Sequence, residues 1–286
     1  MSTKTAAKAD PARRKSPRRP GEGGPLGLLA WVLALGAFAP IAFLVLTSFH
    51  AEVDAATSPP NLLAPLTLDQ YRLVFSRNIT PYMLNSLMAA GFSTLLVVVL
   101  AVPAAYATAV KPVRNVRGVL GWILSTKFLP MIAALLPVYL TFQYLGLLDN
   151  IFALVIFYTG MNLPVAIWMM HSFMAEIPKD VLAAAEVDGA SLPLILRKIV
   201  LPLASPGIAA TGLICFIFSW NEFLFALNLT ATKAGTSPVD LVSFITSEGL
   251  FIAQLSAAAL VVSIPVIIVG LVAQDKLVQG LSLGAV

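Results

Sequence analysis

The sequence predicts an all-α integral membrane protein with six transmembrane helices, and its composition and six long apolar stretches support this class. Of the 286 residues, 58% are hydrophobic and 11% are charged, and the mean hydropathy is +0.88. A soluble domain has about 45–50% apolar and about 25% charged residues. The single cysteine, Cys215, excludes a disulfide framework within the chain.

Each of the six apolar stretches is long enough to cross about 30 Å of hydrocarbon. The stretches without any charge are Leu26–Ser48, Ser86–Val110, Ile151–Met170 and Ile252–Ala273. The other two, Val119–Leu145 and Gly207–Leu227, carry only Lys127 and Glu222 respectively. Because the number of spans is even, both termini are expected on the same side of the membrane.

Lysine and arginine are distributed unequally between the two sides of this topology. The side with both termini carries fourteen of them, and the opposite side carries three. Loops rich in Lys and Arg stay in the cytoplasm, so both termini are expected to be cytoplasmic in a multi-pass protein of the cytoplasmic (inner) membrane of a bacterium.

This topology predicts five segments along the chain. They are a disordered basic cytoplasmic tail (1–25), the first helix (26–48), an external loop (49–85), a core transmembrane domain (86–275) and a cytoplasmic C-terminal tail (276–286).

The internal loop of residues 171–206 holds the most informative pattern. Its alanine-rich stretch Val181–Val187 favours a helix. Gly189 can adopt the left-handed conformation that ends a helix, and a hydrogen bond from Asp188 is expected to stabilise the turn. The small side chains of this arm would let a partner surface approach closely.

The second arm of the same loop is predicted to be a separate short helix. Ser191 is expected to cap it, with Pro193 in its first turn, where a missing N–H is harmless. Pro202 and Pro206 are expected to close the segment before the fifth span. The loop is therefore predicted to be a helix–turn–helix elbow at the cytoplasmic surface, suited to mechanical coupling with a cytoplasmic protein.

The elbow resembles the signature of inner-membrane permeases of binding-protein-dependent ABC importers. That signature is EAA, two residues, DGA and, eight residues later, I-x-L-P; its matches here are Ala184, Ala185, Asp188, Gly189, Ala190, Ile199, Leu201 and Pro202. Ala183 stands where the family usually has glutamate, and whether Glu186 replaces that residue stays open. The resemblance implies a type I ABC importer permease fold, coupled to a separate ATPase through Ala184, Ala185, Glu186, Asp188, Gly189, Ala190 and Pro202.

Two further segments are similar to the carbohydrate-importer subfamily, specifically to its maltose-type second permease. They are SWNEFLFALNLT (219–230) and QDKLVQGLSLGAV (274–286). This resemblance implies a sugar or sugar-alcohol substrate, a second and different permease subunit, an external substrate-binding protein and a cytoplasmic ATP-binding subunit dimer. The chain has no G-x-x-x-x-G-K-[ST] phosphate loop, so ATP and Mg are expected in the partner ATPase subunits, with no cofactor in this chain.

Polar residues within the fifth span are candidates for the substrate passage. Trp220, Asn221 and Glu222 combine an aromatic face with polar groups, which suits a polyhydroxy ligand. An ionisable group at such depth usually faces the bundle interior or a water-filled cavity. The alternative for Glu222 is an interhelical hydrogen bond or a position near the outer headgroups. For Lys127 the alternatives are snorkelling or pairing and a role in the passage.

A second class of function is an ion-coupled carrier or a membrane-embedded enzyme that acts alone. A carrier should show several acids within the membrane, and an enzyme a cluster of Asp, His or Ser. The predicted spans hold one glutamate and one lysine, so this class is disfavoured, and no catalytic, cofactor-binding or metal-binding residue is predicted.

Overall fold

The computed structural model describes residues 24–59, 61–110, 115–246 and 249–283. The chain divides into two compact units with a boundary between Leu46 and Thr47. The described part of the first unit belongs to helix α1 (Gly24–Ser48), which is uncharged and contains Pro40. The predicted tail of residues 1–25 lies outside the described residues up to residue 23.

Helices form nearly all of the second unit. In chain order they are α2 (Glu52–Ala55), α3 (Asp69–Ser76), α4 (Thr80–Val110), α5 (Val116–Ser125), α6 (Met131–Tyr144), α7 (Ile151–Ala175), α8 (Lys179–Val187), α9 (Leu192–Ile195), α10 (Leu201–Trp220), α11 (Leu224–Leu229), α12 (Ser237–Leu241) and α13 (Ile252–Leu283). Two-residue strands β1 (Ile245–Thr246) and β2 (Gly249–Leu250) pair antiparallel, with Ile245 opposite Leu250.

Helices α4, α7, α10 and α13 pack together as the core of this unit. Most of the side chains that α4 buries are small and recur at helical spacing: Ser86, Ala90, Ser93, Val97, Ala101 and Ala105. Small residues let helix backbones approach closely where lipid supplies no hydrophobic driving force between helices. Gly207 of α10 is such a contact, because a Cβ atom there would collide with the ring of Phe173 in α7.

The described residues contain five helices that are long and apolar enough to cross a membrane, and a bent pair that makes a sixth if counted as one span. The bent pair corrects the prediction of a single helix over Val119–Leu145. Residues 116–128 and 131–144 meet at an angle of 85°. Pro130 explains the break, because its ring forces Leu129 into an extended conformation (ψ 126°) that no helix contains.

The fifth span also differs from the predicted Gly207–Leu227. It begins at Leu192 and ends at Trp220, so it starts within the predicted elbow and stops before Glu222. Two further boundaries differ as well. Helix α4 begins at Thr80 rather than Ser86, and α13 continues to Leu283, through most of the predicted C-terminal tail.

The core helices of the second unit give it two ends. We call the end with residues 49–79 and 221–251 the outer end, following the prediction from the basic residues, and the end with α8 the inner end. The predicted orientation makes the outer end external and the inner end cytoplasmic.

Cysteine labelling tests this orientation at one exposed site on each end. Leu63 is 95% exposed and Val187 is 87% exposed, whereas Cys215 is buried. We expect Leu63→Cys to react with an impermeant thiol reagent in right-side-out vesicles and Val187→Cys only in inside-out vesicles. The unsubstituted chain, with its buried thiol, is the control, and the reverse pattern contradicts the orientation.

Candidate functional site

The first arm of the elbow ends in a Schellman turn at Gly189. Its backbone has φ +77°, so the predicted left-handed conformation is confirmed. The Gly189 N–H donates to the Glu186 carbonyl at 3.1 Å, and the Ala190 N–H donates to the Ala185 carbonyl at 3.0 Å. These two bonds satisfy the last carbonyls of α8 and fix the angle at which the chain leaves it.

Helix α8 has one buried face and one exposed face. Leu182 and Ala185 are buried in a hydrophobic cluster at the inner end, because residues three apart share a helix face. Ala185 therefore packs inside the chain in this conformation, and its predicted contact with a partner stays a prediction. The remaining predicted coupling residues of this arm include exposed Ala184, Glu186, Asp188 and Gly189 and half-buried Ala190.

The Asp188 side chain differs from expectation in one respect. Among the described residues its carboxylate has no hydrogen-bond partner; only its backbone N–H is bonded, to the Ala184 carbonyl at 3.0 Å. The predicted turn-stabilising bond is therefore wrong. The turn is held by backbone bonds, and the carboxylate lies exposed on the face that Ala184 and Gly189 share.

The second arm is continuous with the fifth span, which corrects the prediction of a separate short helix. A π turn at Leu196–Val200 joins α9 to α10, and exposed Pro202 lies inside the resulting helix. Proline cannot donate to the carbonyl four residues earlier and its ring collides with it, so the wider π turn just before Pro202 accommodates the ring. Pro193 lies in the first turn as predicted, but the Ser191 side chain makes no capping bond.

Glu222 lies in a break between α10 and α11 rather than within a span. Its carboxylate accepts the N–H groups of Phe225 at 2.9 Å and Ala226 at 3.0 Å, which caps α11, and the Tyr158 hydroxyl at 3.2 Å. Donors at a helix N-terminus stabilise a negative charge. The bond to Tyr158 of α7 is the interhelical hydrogen bond that the sequence left as an alternative.

The neighbours of Glu222 are oriented differently from one another. Trp220 is buried and stacks on Phe216, with ring centroids 5.7 Å apart. Asn221 is exposed, and its amide donates to the Ile217 carbonyl at 2.8 Å. Of the three residues predicted to line a passage, only Asn221 offers an exposed surface in this conformation; the passage role stays a prediction.

A polar layer ties three core helices together one turn below this break. The Asn162 amide of α7 donates to the Ser219 hydroxyl of α10 at 2.9 Å, and that hydroxyl lies 3.2 Å from the Ser93 hydroxyl of α4. All three residues are buried. The layer fixes the register of the three helices at this level.

Lys127 lies in the turn of residues 126–128 that follows α5. Its Nζ donates to the Met161 carbonyl in the middle of α7 at 2.8 Å. The side chain thus pairs with a neighbouring helix, which is one of the alternatives that the sequence left, and the role in the passage stays a prediction.

Asp149 was missed by the sequence reasoning and organises the loop that follows α11. Its carboxylate accepts backbone N–H groups from four consecutive residues, Ala231, Thr232, Lys233 and Ala234, at 2.9 to 3.2 Å. Burial raises the pKa of Asp149, but these four N–H bonds outweigh it and lower the pKa to about 2. We call this arrangement the Asp149 clamp.

Helix α4 holds the same loop from the other side. The Asn85 amide donates to the carbonyls of Lys233 and Gly235, each at 2.9 Å, and the Ser86 hydroxyl accepts the Ser237 N–H at 2.8 Å. Gly235 has no side chain to collide with the Tyr82 ring. The pair Asp149–Asn150 directly before an apolar stretch indicates only the helix start, where Asn150 caps α7 by accepting the Phe152 N–H at 2.9 Å, and no local pattern indicates the donors of Asp149.

Residues capable of holding a metal are not grouped here. Within residues 24–59, 61–110, 115–246 and 249–283, no three His, Cys, Asp or Glu side chains lie together in a way that would coordinate an ion.

Glu222→Gln tests whether the carboxylate has a structural role. The amide keeps the size of the side chain but loses the charge that the three donors stabilise, so we expect a loss of about 1.5–3 kcal/mol in stability and a lower midpoint of thermal unfolding in detergent. Exposed Glu176→Gln should leave that midpoint unchanged. An unchanged midpoint for Glu222→Gln with impaired transport would instead favour the passage role.

Asp149→Asn tests the clamp, because an amide supplies one acceptor oxygen and places its own N–H groups among the donors. We expect hydrogen exchange at Ala231–Ala234 to accelerate about tenfold, with the exchange of the Asp69→Asn control at wild-type rates. Since the folded pKa lies below the ordinary 3.8, the stabilisation is present above that value and is lost as pH falls through about 2. Exchange that is unchanged in Asp149→Asn at neutral pH contradicts the clamp.

Comparisons with known proteins agree with this architecture. A probable ABC transporter permease protein of Sinorhizobium fredii is 38% identical over 91% of this chain and 95% of its own length. The trehalose transport system permease protein SugB of Mycobacterium tuberculosis is 36% identical over 77% of this chain and 82% of its own.

Among solved structures, that of a bacterial ABC transporter involved in the import of the acidic polysaccharide alginate is similar, with a TM-score of 0.71 and 26% identity. The match covers 87% of this chain and 94% of the matched chain. The fold is therefore that of a type I ABC importer permease, as the resemblance implied. Residues 98–282 match the family described as binding-protein-dependent transport system inner membrane component, and the chain belongs to this family of ABC transporter permeases.

Proposed function

We propose that this chain is the transmembrane permease subunit of an ATP-driven importer that carries a sugar or sugar alcohol across the cytoplasmic membrane. The carbohydrate class is supported by relatives whose names state trehalose transport and alginate import. The chain itself performs no catalysis in this proposal, and ATP and Mg are bound by a separate cytoplasmic ATPase dimer.

The observation that carries the proposal is the continuity between the elbow and the fifth span. The helix of residues 192–220 has 29 residues and is therefore about 43 Å long. One end begins at Leu192, three residues after the exposed Gly189, and the other end meets the polar layer and the break that contains Glu222. A displacement of the elbow would thus be passed along one helix as far as the polar layer, where it would change the angle of that helix.

The ATPase would dock on the exposed face of the elbow. Ala184 and Gly189 carry at most a methyl side chain, so a partner surface can approach this face closely. Asp188 gives the face a negative charge that a basic group of the ATPase can pair with. Buried Leu182 and Ala185 pack α8 against the hydrophobic cluster at the inner end. A force on α8 would therefore act on the helix bundle. Closing and opening of the ATPase dimer would in this way change the tilt of the helix of residues 192–220.

At the outer end, the clamped loop is a suitable contact for a soluble substrate-binding protein. Its backbone is fixed before any partner arrives, which lowers the ordering cost of association. A second, different permease subunit would complete the passage, with Asn221 on the exposed side of this chain. The family description, which names dependence on a binding protein, supports the first of these partners.

Gly189→Val tests the coupling role. A side chain at left-handed backbone costs roughly 1–2 kcal/mol, and it adds volume to the docking face. We expect weaker co-purification of the ATPase, or ATP hydrolysis without uptake of substrate, with normal membrane insertion. Gly146 also has positive φ (+68°) and open space around a Cβ position, but at the outer end. Gly146→Val therefore carries the same strain and should retain ATPase attachment.

Asp188→Ala separates charge from backbone strain at the same face. Since the carboxylate makes no bond within the described chain, we expect unchanged thermal stability and a milder loss of ATPase attachment. ATPase activity, substrate uptake and co-purification are to be measured together for each variant. Wild-type values of all three for Gly189→Val would show that the elbow is not the coupling element.

A further inference from the structure

The bend between α5 and α6 opens a cavity of about 190 Å³ against α7 and α11. The bend places non-helical backbone at Leu129 and Pro130 within a span that would otherwise be continuous. Irregular backbone at membrane depth is tolerated where it is buried in protein or lines a water-filled cavity. The non-helical backbone at Pro130 is thus placed beside this cavity.

Lys127 is the charged group in the wall of this cavity. Its ammonium has three N–H donors, and one of them bonds to the Met161 carbonyl at 2.8 Å. In the part of the chain that the structure describes, Lys127 forms no salt bridge. A charged group at such a position is costly and usually faces a cavity or a pathway. Donors therefore remain for a ligand in the cavity.

The other walls are apolar and partly aromatic. Phe157 of α7 and Phe225 of α11 lie with ring centroids 3.9 Å apart and planes at 31°, and both line the cavity together with Gly160 and Ala134. A cavity of about 150 Å³ is sufficient for benzene, so this one holds a single six-membered ring with room for substituents. Apolar walls with one cluster of donors match a molecule with C–H faces and hydroxyl edges.

We infer that Lys127 and this cavity form a subsite for one saccharide unit, or one polyol chain of similar size, during its passage. The C–H face of the ligand lies against Phe157 and Phe225, and the Lys127 ammonium donates to a hydroxyl oxygen. The inference rests on the proposed function and adds a substrate contact at Lys127 to the residues predicted at the break, which the cavity adjoins through Phe225.

Three substitutions test the subsite in the complete transporter, assembled in liposomes with its ATPase, second permease and binding protein. Lys127→Met removes the donors and keeps the apolar stem, whereas Lys127→Arg keeps donors and charge. Gly160→Leu fills the cavity, because nothing lies within 4 Å of a Cβ atom at that position. Gly270→Leu in α13 meets equally open space away from the cavity and is the control for adding a side chain to a helix.

Uptake is measured with radiolabelled trehalose, maltose, mannitol and sorbitol. For whichever of these the wild-type complex imports, we expect Lys127→Met and Gly160→Leu to lower the uptake rate at subsaturating substrate by about tenfold or more. Lys127→Arg should retain most of the uptake, and Gly270→Leu all of it. The ATPase and the second permease should co-purify with every variant as they do with the wild-type chain, which shows that assembly is intact.

Labelling of Ala134→Cys gives a readout that a purely structural lysine would not move. The imported sugar should slow reaction of this cavity thiol in the Lys127 background and not in Lys127→Met. Wild-type uptake in Lys127→Met, or sugar protection that persists without Lys127, overturns the inference. Absence of uptake of all four compounds by the wild-type complex instead counts against the proposed function, so the two failures are distinguishable.

Discussion

A backbone N–H or C=O group without a partner in hydrocarbon costs several kcal/mol, and this constraint shapes three interruptions of the helices at the outer end. The break after α10 is closed by the Glu222 carboxylate, which supplies acceptors for the first N–H groups of α11. The loop that follows is closed by Asp149. The start of α13 is closed by Glu52, which accepts the N–H groups of Ala253 and Gln254 at 3.2 Å. In each case the acceptor is a carboxylate, which binds several donors at once.

These carboxylates all lie toward the outer end. The outer and inner halves of the second unit are therefore built differently. The outer half is made of short segments tied together by side chains from distant parts of the sequence. Toward the inner end, α4, α7 and the helix of residues 192–220 run without such breaks, and the elbow is fastened to them by Leu182 and Ala185. In the proposed function, the inner half would therefore transmit displacement, while the outer half would hold a fixed surface for the binding protein.

Much of this organisation could be predicted from the sequence, because local rules determine it. Long apolar stretches gave the spans, and Gly189 followed by Ser191 and Pro193 gave the turn of the elbow. The rest depends on tertiary structure. The helix over 192–220 continues through Pro202 because a π turn precedes it. Local sequence rules instead predict that a helix ends at such a proline. The carboxylate of Asp149 finds its donors more than eighty residues later in the chain, and no local pattern announces such a partner.

The same limit applies to the candidate site. The sequence indicated that an ionisable Glu222 is costly in a membrane. It did not distinguish a residue that contacts substrate from one that caps a helix. Its N–H partners lie only three and four residues ahead, and they become available because the helix stops at Trp220. Lys127 was assigned to a straight helix, in which snorkelling is reasonable. Once Pro130 bends that helix by 85°, the same side chain reaches α7.

The polar layer of Ser93, Asn162 and Ser219 has a geometric consequence for how far the elbow travels. Because hydrogen bonds hold Ser219 to two other helices, the helix of residues 192–220 would pivot at Ser219 rather than slide along its axis. Leu192 lies 27 residues from Ser219, which is an arm of about 40 Å. A tilt of only about 5° about Ser219 would then displace the elbow by about 3.5 Å, while the segment beyond Ser219 would hardly move. In the proposed function, a displacement of a few ångströms at the ATPase would therefore become only a small change of helix angle at the level of the polar layer.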